Sequence, residues 1–365
     1  MSMERKKVRY AVVGAGNIAQ VAVLPAFAHA KENSQLVAIV SGDPEKRAEL
    51  QKRYRLEHVG GYDEFESILK RGQIDAVYIA NPNTEHKEFV LRAAQQQVHV
   101  LCEKPLAPTV ADCEEMLSAC SKNGVKLMVA YRLHFEGANL RALELVQSGE
   151  LGSPQIFSSF FTHVVKEGDI RRRADLAGGA TYDLGVYCIN AARTLFGAEP
   201  VTVFAKAVER DGTDDTMTAL LYFPDDRLAE FTVSNSVAGV SEYRIAGAKG
   251  SLRLEPAFEH AEGNDLYLTI DDKTKHESFP KRDQFAPELV YFSNCILHDL
   301  EPEPSGEEGL YDVRVIEAIL ESARVGRSVE LAPLQRDRRP TPAQEMHKPP
   351  ISKPDTVNAP SPSEG

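Results

Sequence analysis

From Val8 to about Met128, short apolar runs alternate with stretches whose apolar residues recur at helical spacing. The runs "VRYAVVG", "LVAIVSG", "AVYIANP", "HVLCEKP" and "KLMVAY" are apolar on both faces and read as strands, whereas "DEFESILKRG", "HKEFVLRAAQQQ" and "VADCEEMLSACSKNG" read as helices. Strands that must be covered on both sides and are separated by helices run parallel, so the pattern predicts an N-terminal Rossmann-type, doubly wound parallel sheet over residues 1–130. Ligands bind such a sheet at the carboxyl ends of its strands. After about Tyr131 the pattern changes: "PQIFSSFFTHVV", "VTVFAKAVE", "MTALLYF", "LAEFTVSNS", "EYRIAGAKGSLRLE" and "DLYLTID" alternate apolar with polar residues, with turn signals such as "PDDR" and "GAKG" between them. This predicts a C-terminal α+β domain over residues 131–331 with a large, mostly antiparallel open sheet. The segment "NLRALELVQSG" opens it as a helix, and "ELVYFSNCILHD" and "GLYDVRVIEAILESARVG" close it. Residues 332–365 are rich in Pro, Ser and charge and read as a flexible tail, with an ordered arm that clasps a partner subunit as the alternative.

Composition narrows the partners. The 365 residues, 42% hydrophobic and 26% charged, suit a soluble globular protein with two domains. A net charge of −12 without a segregated basic face argues against nucleic acid. No apolar run approaches the ~20 residues of a membrane span, and the short apolar stretch near the N-terminus runs into Gly14 and Gly16 instead of a cleavage site. Five cysteines (Cys102, Cys113, Cys120, Cys188 and Cys295) show neither a paired framework nor metal-ligand spacing. A cytoplasmic protein with reduced thiols, no metal and no membrane or nucleic-acid partner is expected.

The candidate chemistry lies at strand ends. In "VVGAGNIA", Gly14 permits a tight turn, Gly16 removes a side chain that would block a pyrophosphate, and Asn17 and Ile18 open a helix whose N-terminus attracts phosphate. The tip of the next strand, "VSGDPEKR", has Ser41 and Gly42 where an NAD site usually carries an acid, with Lys46 and Arg47 following. A small hydroxyl with nearby cations suits a 2′-phosphate, so NADP is the expected cofactor; NAD stays possible if those cations are merely solvated helix-face charges. In "IANPNTEHKEF", Asn81, Pro82 and Asn83 form a turn at the same edge, and His86 lies on the first helical turn, as a nicotinamide contact or a structural residue. Glu103 and Lys104 end the following strand, with Pro105 fixing the chain direction, possibly through a cis bond.

In this order the motifs resemble the Gfo/Idh/MocA oxidoreductases, the family of glucose–fructose oxidoreductase, inositol 2-dehydrogenase and a rhizopine-catabolism protein. "EKPLAPTVADCEEM", "AYRLHFEGAN", "RRRADLAGGATYDLGVYCIN" and "SGEEGLYDVRVIEAILESARVGR" look most like the glucose–fructose oxidoreductase branch, and the resemblance extends to about residue 331. The resemblance implies that Lys104 is the pocket lysine and that Asp183 and Tyr187 fill the motif of two glycines, an aspartate and, four residues later, a histidine or tyrosine. It also implies a homodimer or homotetramer assembled through the C-terminal sheet.

Spacing supports part of this independently. Asp183 and Tyr187, four apart, share a helix face, and Gly178-Gly179 would let the preceding loop approach the cofactor. Tyr187 is the candidate acid/base; a phenol titrates near ~10, so a nearby ammonium such as Lys104 would help it act at neutral pH. Asp183 would orient the sugar hydroxyl or balance the lysine. Arg132 and His134 would line the cleft beside nicotinamide or substrate, and Arg171 would touch substrate unless the run Arg171 to Arg173 is surface charge. Only seven residues precede Val8, where glucose–fructose oxidoreductase has a long cofactor-wrapping arm, so an exchangeable nucleotide is expected. The leading expectation is an NADP-dependent oxidoreductase acting on a sugar, polyol or related carbonyl compound. Trans-dihydrodiol or xylose dehydrogenase-like activity, or a non-catalytic NADP-binding sensor, are the alternatives.

Overall fold

A computed structural model describes residues 7–334, 336 and 338–363. The chain divides into two compact units, one built from the residues up to Arg132 with Asp283–Leu310 and His347–Pro362, the other from Leu133–Arg282 and Tyr311–Met346.

The first unit holds a parallel sheet of β1 (Val8–Val13), β2 (Ser34–Val40), β3 (His58–Gly60), β4 (Ala76–Ile79), β5 (His99–Cys102) and β6 (Leu127–Val129), in the order β3-β2-β1-β4-β5-β6. The order reverses between β1 and β4, the switch point where such folds open a ligand crevice. Strand β3 is an edge strand of three residues, too short for the apolar pattern to reveal. Local chemistry sets the helix after β2, because Asp43 accepts the N–H groups of Glu45 and Lys46 and Pro44 occupies the first turn.

Two elements expected elsewhere belong to this unit. The helix Ala286–Leu297, expected to close the second domain, seats Ser293 against the Tyr10 hydroxyl (2.8 Å) and the Ser34 hydroxyl (2.8 Å). Its start is capped by Asp283, which accepts the N–H groups of Phe285 and Ala286. Residues His347–Pro362, expected to be part of a flexible tail, are instead hydrogen-bonded to β-strand tips and helices of the first unit. The side-chain amides of Asn17 and Gln20 satisfy main-chain groups of this segment, which its composition does not announce.

The second unit is built on β7 (Pro154–Val164), β8 (Thr202–Arg210), β9 (Thr213–Phe223), β10 (Arg227–Ser234), β11 (Ser236–Gly247), β12 (Gly250–Glu255), β13 (Asn264–Ile270), β14 (Lys273–Phe279) and β15 (Val329–Glu330). Their order is β14-β13-β12-β11-β7-β10-β9-β8-β15, and β7 with β10 is the parallel pair among antiparallel ones. Three residues, Pro224, Asp225 and Asp226, join β9 to β10, and Asp225 and Asp226 both take positive φ (62° and 56°). On β7, Phe157, Ser159 and Phe161 face inward, while Ile156 and Phe160 are exposed. Strand β14, "KTKHESF", lies at the sheet edge with mostly exposed residues, so no apolar alternation announces it.

Candidate nucleotide and proton-transfer sites

The glycine-rich turn follows β1. Gly14 sits at φ +89°, and a methyl group there would lie 2.8 Å from the carbonyl carbon and oxygen of Ala80, so this residue lets the ends of β1 and β4 approach each other. Gly16 differs: a methyl group there would meet nothing within 4 Å. It leaves an open cradle beside Asn17 and Ile18, which are half-buried at the start of a helix that begins with a π-helical turn, Ala19–Val23. At the tip of β2, Ser41 is buried and its hydroxyl accepts the Asp43 N–H (3.3 Å), while Gly42 is exposed and Lys46 half-exposed. Arg47 donates to the Ser41 carbonyl (2.6 Å), so it, more than Lys46, is tied to the tip. The Asp43 carboxylate is already engaged, and the N–H of Lys46 and the Asn358 amide hold its pKa below the usual range. An open glycine cradle beside a tip whose acid is engaged fits a dinucleotide carrying a 2′-phosphate.

The edges of β4 and β5 carry the next group. The Asn81 amide donates to Glu85 (2.7 Å), and its Oδ1 is buried without a partner, an acceptor suited to a ligand donor. Asn83 begins a single 3₁₀ turn, Asn83–Glu85, and is half-exposed. His86 must be revised from a cofactor contact to a structural pin. Fully buried, its Nδ1 faces the carbonyls of Pro105 and Leu106 (3.1 and 3.2 Å) and its Nε2 faces that of Asn81 (3.0 Å). The ring fastens the loop after β4 to the loop after β5, and burial pushes its pKa down.

Glu103 and Lys104 are half-buried at the end of β5, and the Lys104–Pro105 bond is cis. Tyr78 donates its hydroxyl to Glu103 (2.8 Å). Burial raises the Glu103 pKa, opposed by the Lys104 charge and the Tyr78 bond. Beneath them lies Glu288, which the apolar pattern does not single out. Both its carboxylate oxygens are buried without a partner, and burial, then Glu103, drives its pKa well up, toward the neutral acid. The signal was there: Glu288 is the one charged residue in the helix Ala286–Leu297. Arg132 is buried and donates to Gln284, and its charge opposes the rise at Glu288.

The second unit presents Asp183 and Tyr187. The helix that carries them opens with a π-helical turn, Thr181–Gly185, and continues as Val186–Phe196, so Asp183 lies in the widened turn and Tyr187 in the first α-helical one. Such turns are frequent at functional sites. Arg171 Nε stands 2.9 Å from Asp183 Oδ2, and His163 Nε2 on β7 stands 3.6 Å from the same oxygen. Asp183 Oδ2 is therefore ion-paired with Arg171, with the His163 ring nearby but beyond hydrogen-bond distance. The half-buried Tyr187 ring packs edge-on against Phe161 and tilted against Phe258. His163 was not singled out from sequence, because a histidine among aromatic strand residues has no pattern of its own.

Three further expectations change. Gly178 and Gly179 approach the protein itself: a methyl group on Gly178 would lie 2.7 Å from the Arg171 carbonyl oxygen, and one on Gly179, at φ +126°, 2.0 Å from Asp214 Oδ1. Asp214 accepts both the N–H and the hydroxyl of Thr181 and so anchors the helix start, and burial pushes its pKa up to about 6. The arginine run divides, with Arg171 on Asp183, Arg172 clamped to Asp215 and the carbonyls of Val165 and Asn235, and Arg173 exposed on Asp175. His134 lines no cleft. It is buried with Nε2 on Asn190 Oδ1 (2.9 Å), which in turn donates to Asp312, and burial lowers its pKa to about 4.

Comparison with known proteins adds to this geometry. Residues 8–131 match the model of the oxidoreductase family with an NAD-binding Rossmann fold, and residues 139–253 match the GFO/IDH/MocA C-terminal domain. The chain is 33% identical to a D-xylose 1-dehydrogenase [NADP(+)] of Haloarcula marismortui, over 89% of this chain and 93% of the relative. It is 29% identical to a dTDP-3,4-didehydro-2,6-dideoxy-alpha-D-glucose 3-reductase of Actinomadura kijaniata, over 87% of this chain and 96% of that one. Among solved structures, an aldose-aldose oxidoreductase from Caulobacter crescentus complexed with glycerol superposes with a TM-score of 0.85, at 37% identity, covering 89% of this chain and 100% of the other. A 3-ketoreductase from Actinomadura kijaniata in complex with NADP and TDP-benzene gives 0.80 at 28% identity, covering 87% and 98%.

Proposed function

The chain belongs to the Gfo/Idh/MocA oxidoreductase family and is an NAD(P)-dependent dehydrogenase or reductase, and we propose that it transfers hydride between NADP and a CH–OH carbon of a sugar or polyol. Bound nicotinamide supplies the hydride donor or acceptor. The residues of the chain handle the proton that must leave or join the substrate oxygen as that carbon becomes, or ceases to be, a carbonyl.

In this reading Tyr187 holds that proton and Lys104 supplies the ammonium that makes a phenol effective near neutral pH. Asp183, held by Arg171 and facing His163, has fixed oxygens with which to orient a substrate hydroxyl. The observation that carries the reading is this fixed Asp183 one helical turn before Tyr187, on a helix whose first turn is widened. For the cofactor, the engaged Asp43 carboxylate favours NADP over NAD, in keeping with the NADP named for the xylose dehydrogenase and the 3-ketoreductase. Aldoses such as xylose are the first substrates to test, given the names of the relatives.

Purified protein with NADP+ and a panel of aldoses and polyols is expected to produce NADPH absorbance. Tyr187→Phe is expected to lower turnover at least ~100-fold, the usual worth of a positioned acid/base, while NADPH binding persists. No signal with any sugar in either direction would favour an NADP-binding sensor instead. The exposed apolar residues Ile156, Phe160, Val208 and Tyr222 of the second unit's sheet support assembly of a dimer or tetramer through that face. Light scattering that returns a monomer would remove that part of the proposal.

A further inference from the structure

Residues 355–359 cross the two strand tips that, on the reading above, would hold the adenosine and pyrophosphate half of a dinucleotide. The Asn17 amide donates to the Ala359 carbonyl (3.0 Å), and Gln20 pairs with Val357 in both directions, Nε2 to the carbonyl (2.9 Å) and N–H to Oε1 (2.8 Å). The Asn358 amide donates to Asp43 Oδ2 (3.1 Å) and Glu45 Oε2 (3.0 Å). Arg53 donates to the Asp355 carbonyl (2.5 Å). Ala359 is buried, so the segment is seated and not merely adjacent.

Two features give this placement meaning. First, β1 and β2 are paired neighbours, with Val13 opposite Val40, and strand neighbours lie ~4.8 Å apart. The consecutive residues Asn358 and Ala359 therefore reach the tip of β2 and the glycine-rich turn after β1, respectively. Second, the bonds to the turn are made by the side chains of Asn17 and Gln20. Phosphates at a helix N-terminus use main-chain N–H groups. Segment and phosphate thus draw on different atoms of the same turn. Asn358, meanwhile, donates to one oxygen each of Asp43 and Glu45, carboxylates at the tip beside which a phosphorylated ribose would lie.

We propose that Asp355–Ala359 is a further wall of the NADP site, a strap laid over the adenosine–pyrophosphate half, and that the nucleotide leaves only when this strap lifts. The proposal rests on the NADP reading above. Its test follows release of NADPH by fluorescence in a stopped-flow chase with excess NADP+. One variant ends after Met346. A second, Val357→Pro, removes the N–H that Gln20 accepts and fixes the backbone φ there, and serves if the shortened chain does not fold. Release at least fivefold faster in the folded variants, with weaker NADPH affinity, is the expected result. A smaller change in Val357→Pro and in any folded shortened chain, or tighter binding after shortening, which would make the strap a competitor of the nucleotide, would overturn the strap alone. Failure of the intact chain to bind NADPH would overturn both the strap and the cofactor reading, which keeps the two failures distinct.

Discussion

Gly16 and Gly179 each stand shortly before a helix that begins with a π-helical turn, yet a methyl group would meet nothing within 4 Å at the first and a carboxylate oxygen at 2.0 Å at the second. The first glycine leaves open space beside the turn after β1. The other is needed so that Asp214 can reach under the helix start and take both donors of Thr181. On the function proposed above, similar sequence signals serve a ligand in one unit, and in the other a buried hydrogen bond. Which it is depends on what lies opposite the missing side chain.

The sharpest way to break this contrast is Gly179→Ala. A backbone at φ +126° and a clash with a buried carboxylate are expected together to cost about 3–5 kcal/mol of stability, near the upper end for single substitutions. Thermal unfolding within about 2 °C of the parent would show that Asp214 moves aside freely.

Asp214 sharpens the same contrast through pH. Its folded pKa of about 6 lies above the ordinary carboxyl value near ~3.9, so the protonated form is favoured in the fold. Its contribution to stability is full below pH ~4 and is lost as pH rises through about 6, a difference of up to about 3 kcal/mol. Asp214→Asn is expected to lack this fall, so the gap in melting temperature between parent and variant should move in the variant's favour between pH 4 and pH 7. Parallel curves across that range would contradict it. His134 has the opposite sign. Neutral in the fold with a pKa of about 4, it contributes stability above pH ~6.5 that is lost as pH falls through about 4, so unfolding at acid pH should be less steep in His134→Gln.

The smallest effect on folding is expected at Gly16→Ala. With open space around the added methyl, the melting temperature without nucleotide should stay within about 2 °C, the size of a typical surface change. Dissociation constants for NADPH should nevertheless rise about tenfold or more, about 1.4 kcal/mol. Unchanged affinity in a titration would mean that Gly16 faces no phosphate.

Periodicity was enough for both sheets apart from the short or exposed edge strands β3, β14 and β15, because a strand covered on both faces and a strand covered on one leave different spacings of apolar residues, and the glycine turn was legible from its motif. Lys104, Asp183 and Tyr187 were brought out by the resemblance to the family's motifs, with the four-residue spacing of Asp183 and Tyr187 in support. Periodicity could not say that His86 and His134 are pinned inside, since a histidine has the same sequence signal whether its nitrogens meet ligand or carbonyl. Nor could it place His163 beside Asp183 or seat residues 347–362, whose partners lie tens to hundreds of positions away, and it marked Glu288 as the one charged residue of its helix without showing that its carboxyl is buried without a partner. Local spacing records which face of an element is dry. Which atoms meet across that face is settled only when distant segments pack, because hydrogen bonds and burial, unlike periodicity, are properties of pairs.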